Sequence, residues 1–244
     1  MNRTPQPHVL LLLHAGWELP GIYGEILTET GWQVSTRALY LGAELDDIAE
    51  VDGIVVMGGP MSADDAAAYP WLITEKLLLG NAVRAGTPVF GVCLGAQLLA
   101  ASLGGRIHRA ARPEFGLSQV WPTADAAADP LFFDLAPATA VFHWHGDSFE
   151  LPPGATLLAT SEPVRHQAFR VAEHAYGLQF HAELTPALFD RWLTEQSCRA
   201  ELISALDSDA PDRLATELDA AEQQLRELAT RLFSRWLRLV EATR

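Results

Sequence analysis

Cys93 stands in Gly91-Val92-Cys93-Leu94-Gly95, a Gly-x-nucleophile-x-Gly spacing with cysteine where many hydrolases carry serine. The residues before it, Val89, Phe90 and Val92, favour a strand, and Leu94 to Leu103 is rich in Leu and Ala and favours a helix. A glycine on each side lets the chain reverse sharply at one strained residue. Cys93 is then expected exposed at the strand tip and at a helix N-terminus, where the helix dipole favours thiolate over thiol. The next N–H, from Leu94, points to where an oxyanion would form. The plainer reading is a buried cysteine in a βα turn, but a core position has no need of both glycines.

A nucleophilic cysteine needs a base, and the base needs an orienting group. His181-Ala182-Glu183 follows the apolar run Ala175 to Phe180, which reads as a strand. A carboxylate two residues beyond a strand-end histidine can reach back to the imidazole and fix its tautomer. His14, His143, His145 and His174 are the rival bases. His143 and His145 fall on one face of a strand and with Asp147 imitate a metal site. A clearly placed third ligand is lacking and a cysteine nucleophile needs no metal, so no metal or other cofactor is expected.

The elements that must hold these groups follow from the pattern. His8 to Leu13, Trp32 to Thr36 and Gly53 to Met57 read as strands; Ile22 to Thr30 and Trp71 to Ala85 read as helices. The order βαβαβ with short connections predicts a parallel sheet with helices on both faces. Sites in such sheets lie at the carboxyl ends of strands, where both Cys93 and the turn Gly58-Gly59-Pro60 fall. From about Arg106 the strands become shorter and alternating: Leu117 to Trp121, Thr139 to His145, Thr156 to Ala159 and His166 to Val171. They predict an antiparallel β layer at the sheet's edge. Thr185 to Glu195 reads as a helix, and Leu214 to Leu239 carries an apolar stripe at helical spacing, with Asp209 and Pro211 as its start. Residues 1–195 are read as one domain and 196–244 as a helical extension packed on it. The alternative for the last helix is an interface with a second copy or another protein.

The chain has 244 residues, is 49% hydrophobic and carries a net charge of −14. That is enough apolar material for a sizeable core. An acidic balance disfavours nucleic acid and anionic membrane surfaces, which want a basic stripe. The acids Glu44, Asp46, Asp47, Glu50 and Asp52 read as a solvated face. No apolar run reaches membrane-spanning length and no signal-type leader opens the chain, so a cytoplasmic protein is expected. The two cysteines, Cys93 and Cys198, do not make a disulfide framework.

Four motifs in order, Gly58-Gly59-Pro60, Gly91 to Gln97, His145-Gly146-Asp147 and Gly177 to Glu183, resemble the class I (triad) glutamine amidotransferases. Within them the chain is similar to stand-alone proteins related to the amidotransferase domain of GMP synthase. The resemblance spans about residues 8–195. It implies an open, mostly parallel α/β sheet in three layers, flavodoxin-like, with C-terminal helices outside it. It implies Cys93 as nucleophile, His181 as base and then acid, and Glu183 as the orienting carboxylate. It implies an oxyanion hole from the N–H groups of Gly59 and Leu94. Gly58, Gln97, His145, Gly146 and Asp147 would hold glutamine or another γ-glutamyl amide, the last three from a loop. One departure stands out: the family carries proline between the histidine and the glutamate, and here Ala182 leaves that turn less stiff.

No Gly-x-x-x-x-Gly-Lys-Ser/Thr loop and no ATP-using domain is evident. Ammonia is therefore expected to pass to a separate synthetase partner. The alternative is a γ-glutamyl peptidase with the same triad; a non-catalytic binding protein fits less well, since Cys93, His181 and Glu183 are all kept. The Gly58-Gly59 turn is expected to swing its N–H out of the site at little cost. The isolated chain would then hydrolyse glutamine weakly until a partner binds near the Cys93 mouth.

Overall fold

The computed structural model describes residues 6–45 and 51–244. The leucine run forms β1 (His8–Leu13), parallel to β2 (Gln33–Ala38) on one side and β3 (Gly53–Val56) on the other. β3 pairs with β4 (Val89–Val92), and β4 with β9 (Ala175–Leu178), again parallel. Near-continuous apolar runs suit strands covered on both faces. Alternate residues serve the two sides. Val9, Leu11, Leu13, Val55, Phe90 and Val92 meet α1 (Gly21–Thr30) and the second half of α6 (Ala210–Ala242). Leu10, Leu12, Ile54, Val56 and Val89 meet α2 (Trp71–Ala85) and α3 (Leu94–Ser102). This is the expected three-layer α/β arrangement.

The sheet continues antiparallel through β8 (Ala168–Val171), β7 (Thr156–Thr160), β5 (Ile107–Pro122) and β6 (Thr139–Phe149). Among the described residues the order is β2-β1-β3-β4-β9-β8-β7-β5-β6. Two expectations need correction here. β5 starts at Ile107, ten residues before the strand read from the sequence. The register of β5 against β6 shifts between Arg109 and Glu114, and that irregularity, beside Pro113, hides the alternation. His145-Gly146-Asp147 is no loop but part of β6, with Asp147 opposite Arg109 and His145 opposite Glu114. Of the acidic stretch, Glu44 is exposed, and Asp46, Asp47 and Glu50 lie outside the described residues. Asp52 is not merely solvated: it accepts from the His8 N–H at 2.7 Å and from Arg244 Nε at 3.1 Å.

The chain closes with α4 (Pro186–Thr194), α5 (Gln196–Ala205) and α6. The first half of α6 packs Leu214, Leu218 and Leu225 with Phe142, Leu188 and Trp192. Its second half places Phe233 and Trp236 against Phe90 of β4, ring centroids 5.3 and 5.6 Å away. Among the described residues no helix is long and apolar enough to cross a membrane.

Candidate active site

Cys93 occupies the single residue between β4 and α3, with φ 51° and ψ −106°. For a non-glycine residue that backbone is strained, and it persists only where the surroundings over-determine it. The two glycines are what the turn demands. A Cβ on Gly91 would stand 2.6 Å from the backbone of Gly95, and one on Gly95 would collide with the Val56 carbonyl. Cys93 is buried, not exposed at the strand tip as expected. Its Sγ lies 3.7 Å from the Trp144 carbonyl, to which it donates, and Gln179 Nε2 donates to it at 3.6 Å. Burial pushes the thiol above its ordinary value, against the pull of the His181 charge and hydrogen bond. The thiolate bias expected from the helix terminus therefore does not win against burial, although His181 pulls toward it.

His181 follows the end of β9 and is fixed at three points. Its N–H donates to the Phe142 carbonyl of β6 at 2.8 Å. Its Nδ1 meets Glu183 Oε1 at 2.7 Å, with both side chains buried. Its ring packs edge-on against Trp192, centroids 5.0 Å apart. Burial works against a charged ring, but Glu183 and Cys93 outweigh it and hold the His181 pKa well above the ordinary value. At the Ala182 departure the turn is held by packing: Ala182 is fully buried, and the Glu183 carbonyl accepts from Ile22 N–H of α1 at 3.0 Å. Of the rival histidines, His14 meets Gly58 and Glu75, His143 and His145 face Glu114, and His174 meets the Val83 carbonyl.

Cys93, His181 and Gly59 line one cavity of about 230 Å³ with Gln97, His145, Gly146 and Asp147. Leu94 opens α3, so its N–H has no partner within the helix. Gly58 does not line the cavity: its carbonyl meets His14 Nδ1 at 3.0 Å, and a Cβ there would collide with Glu18 Oε2. That bond overturns the expectation of a turn free to swing. The other expected binding residues are largely engaged with one another. Gln97 Nε2 donates to the Asp147 carbonyl at 3.3 Å and to Gln179 Oε1 at 3.2 Å. His145 Nδ1 donates to the Asp147 carbonyl, and its Nε2 stands 3.1 Å from Glu114 Oε2. The Asp147 carboxylate takes Arg109 Nη1 at 3.1 Å.

Glu114, not Asp147, is the carboxylate that joins His143 and His145, with ligand atoms within 4.8 Å of one another. Glu114 also accepts from Ser161 Oγ at 2.9 Å and Gln167 Nε2 at 2.6 Å, while among the described residues neither ring nitrogen of His143 has a hydrogen-bond partner.

Several wall residues escaped the sequence reading. Glu18 and Trp17 come from the segment after β1, Arg109 from β5, Trp144 from β6, Trp192 from α4, and Cys198 and Glu201 from α5. Arg109 lay in the stretch whose strand pattern was broken, and α5 shows no motif. The one available signal was Gln179, inside the Gly177 to Glu183 motif. Burial raises the Glu18 carboxyl to about 7 despite the nearby His181 and His14, and raises the Cys198 thiol to about 11.

Comparison with known proteins bears on the family and the fold. The family model for class-I glutamine amidotransferases matches residues 27–200. The glutamine amidotransferase-like protein YfeJ of Salmonella typhimurium is 32% identical over 181 residues, 72% of this chain and 76% of that protein. The glutamine-hydrolysing GMP synthase subunit from Sulfurisphaera tokodaii is 32% identical over 67% of this chain and 85% of its own. Against the GMP synthase of Thermomicrobium roseum, 39% identical over 135 residues, the match spans 23% of that protein. Among solved structures, a glutamine amidotransferase from Thermotoga maritima superposes with TM-score 0.86 at 31% identity, over 98% of this chain and 100% of that one. One from Methylobacillus flagellatus gives 0.85 at 27% identity, over 97% and 96%. With a family model matched over more than half its length and its fold shared end to end with such enzymes, the chain belongs to the class-I glutamine amidotransferases.

Proposed function

We propose that the chain hydrolyses the side-chain amide of glutamine through Cys93, His181 and Glu183, yielding glutamate and ammonia. The observation that carries this reading is a buried thiol on a strained turn, facing an imidazole whose far nitrogen is held by a buried carboxylate at 2.7 Å. The Cys93 thiolate attacks the amide carbon. Charge moves to the carbonyl oxygen, which the Gly59 and Leu94 N–H groups receive. The C–N bond breaks as His181 delivers its proton to nitrogen, and ammonia leaves behind a γ-glutamyl thioester. Water then attacks the thioester, His181 takes its proton, and the thiolate departs. Glu183 keeps the imidazole in register through both halves.

Arg109, Glu18 and Glu201 in the cavity wall support this reading: a guanidinium suits a substrate carboxylate, and carboxyl groups suit an ammonium, the two ends of an amino-acid head. Ammonia then passes to a separate synthetase. The experiment measures turnover of glutamine and of γ-glutamyl dipeptides by the purified protein and by Cys93→Ala. Glutamine turnover that vanishes in Cys93→Ala, with the fold retained by circular dichroism, is the expected result. Full activity in Cys93→Ala would sink the assignment. Fast dipeptide cleavage with negligible glutamine hydrolysis would replace the substrate with a γ-glutamyl peptide and leave the three residues in place.

A further inference from the structure

His14 and Glu75 are both fully buried, and the mechanism above gives neither of them a role. A buried ion pair is an expensive way to fill a core, so its retention asks for a reason. Glu75 lies on the inner face of α2, and both its oxygens meet His14 Nε2, at 3.0 and 3.2 Å. Trp71, one turn earlier, stacks on the ring with centroids 5.5 Å apart and 19° between planes. The other ring nitrogen, Nδ1, meets the Gly58 carbonyl at 3.0 Å. A carbonyl only accepts, so Nδ1 carries a hydrogen and donates.

The Gly58 carbonyl and the Gly59 N–H belong to one peptide unit. The unit is trans, so the two groups point in opposite directions. Holding the carbonyl against His14 therefore turns the Gly59 N–H the other way. Gly59 lines the cavity beside Cys93, and among the described residues nothing accepts its N–H. A rotated peptide would set the Gly59 N–H against the His14 Nδ1–H, donor against donor in a buried place. The space is also closed: a Cβ on Gly59 would stand 2.6 Å from Leu94 Cδ2 and 2.8 Å from His14 Cβ.

We propose that His14, braced by Glu75 and Trp71, is a positioning residue that locks the Gly58–Gly59 peptide with its N–H facing the oxyanion. This rests on the proposed acyl-transfer reading. Burial alone would lower the His14 pKa, yet Glu75 and the Gly58 carbonyl hold it above the ordinary value, which agrees with a ring that donates on both sides. It follows that the oxyanion donor is set within this chain and does not wait for a second protein.

Two variants separate the two halves of the device. In His14→Asn the amide nitrogen replaces Nδ1 and keeps the bond to Gly58; in His14→Gln it replaces Nε2 and keeps only the bond to Glu75. The readouts are kcat and KM for glutamine and for γ-glutamyl p-nitroanilide, and the rate of Cys93 alkylation by iodoacetamide, which builds no oxyanion. His14→Asn is expected to keep kcat within about fivefold, and His14→Gln to lose about 10- to 100-fold, short of the roughly 10²–10³ for deleting a donor outright. KM and alkylation should stay within about threefold in both, since neither depends on an oxyanion donor. His14→Gln as active as His14→Asn, or alkylation falling in step with kcat, would overturn the lock while leaving the enzyme reading intact. A parent protein inactive on both substrates would overturn the enzyme reading and the lock with it.

Discussion

His181 sits between a carboxylate and the Cys93 sulfur, and both favour the protonated ring against the cost of burial. Removing the charge of Glu183 should therefore cost more than a hydrogen bond. Glu183→Gln leaves the shape, but a side-chain amide can present its N–H to Nδ1 and force the wrong tautomer. Turnover should fall by about 10²–10⁴-fold, and His181→Ala should cost more, since the orienting group is the least costly triad member to lose. Unchanged turnover in Glu183→Gln would mean that another group orients the ring. Glu18 adds a second electrostatic lever. Its carboxyl ionises at about 7 and its charge raises the Cys93 thiol. Glu18→Gln should shift the pH dependence of Cys93 alkylation to lower pH; a shift upward would contradict the assigned sign. A carboxyl raised from 4.5 to about 7 also costs stability as pH rises across that window, because the folded state holds the extra proton. The variant should flatten that part of the stability curve.

At the scale of elements, the segment beyond residue 195 is not peripheral to the site or to the core. α5 supplies Cys198 and Glu201 to the cavity wall, and α6 runs across two separate apolar cores. Its second half is anchored by Arg235, which pairs with both oxygens of Asp134 at 2.6 Å and lies 4.2 Å over the Phe133 ring. Trp236 is fully buried against Phe90, whose strand leads directly to Cys93. Trp236→Ala should cost about 3–5 kcal/mol in denaturant unfolding, as a large aromatic removed from a packed core does. Truncation after Ala210 should give an unstable or insoluble protein. A soluble, fully active truncated chain would show α6 to be detachable.

On the scale of the whole molecule, the peptide proposed as oxyanion donor is braced by His14 and, through it, by Glu75 of the same chain. Specific activity toward glutamine should then stay constant over about a hundredfold dilution, as mass action requires of a site that needs no second copy. Activity that falls on dilution would point to a homodimer in which the partner completes the site.

The glycines around Cys93 and the His181-Ala182-Glu183 spacing were legible because each reflects local chemistry. A strained turn needs small neighbours, and a carboxylate two residues from a histidine reaches it whatever lies farther away. The parallel strands were legible for a similar reason, since burial on both faces demands unbroken apolar runs. The wall of the cavity was not. Glu18, Arg109, Trp192 and Glu201 stand on one loop and three different elements, and no spacing along the chain encodes their meeting. The strand identity of His145-Gly146-Asp147 was hidden because its partner β5 carries a register shift. His14 shows the limit most plainly. In the sequence it is one more histidine after a strand, a rival base. Only the packing of α2 against the end of β1 brings Glu75, 61 positions away, to one nitrogen and the Gly58 carbonyl to the other. A rival base thereby becomes a fixed donor, because a ring with both nitrogens engaged has no free site left to take a proton.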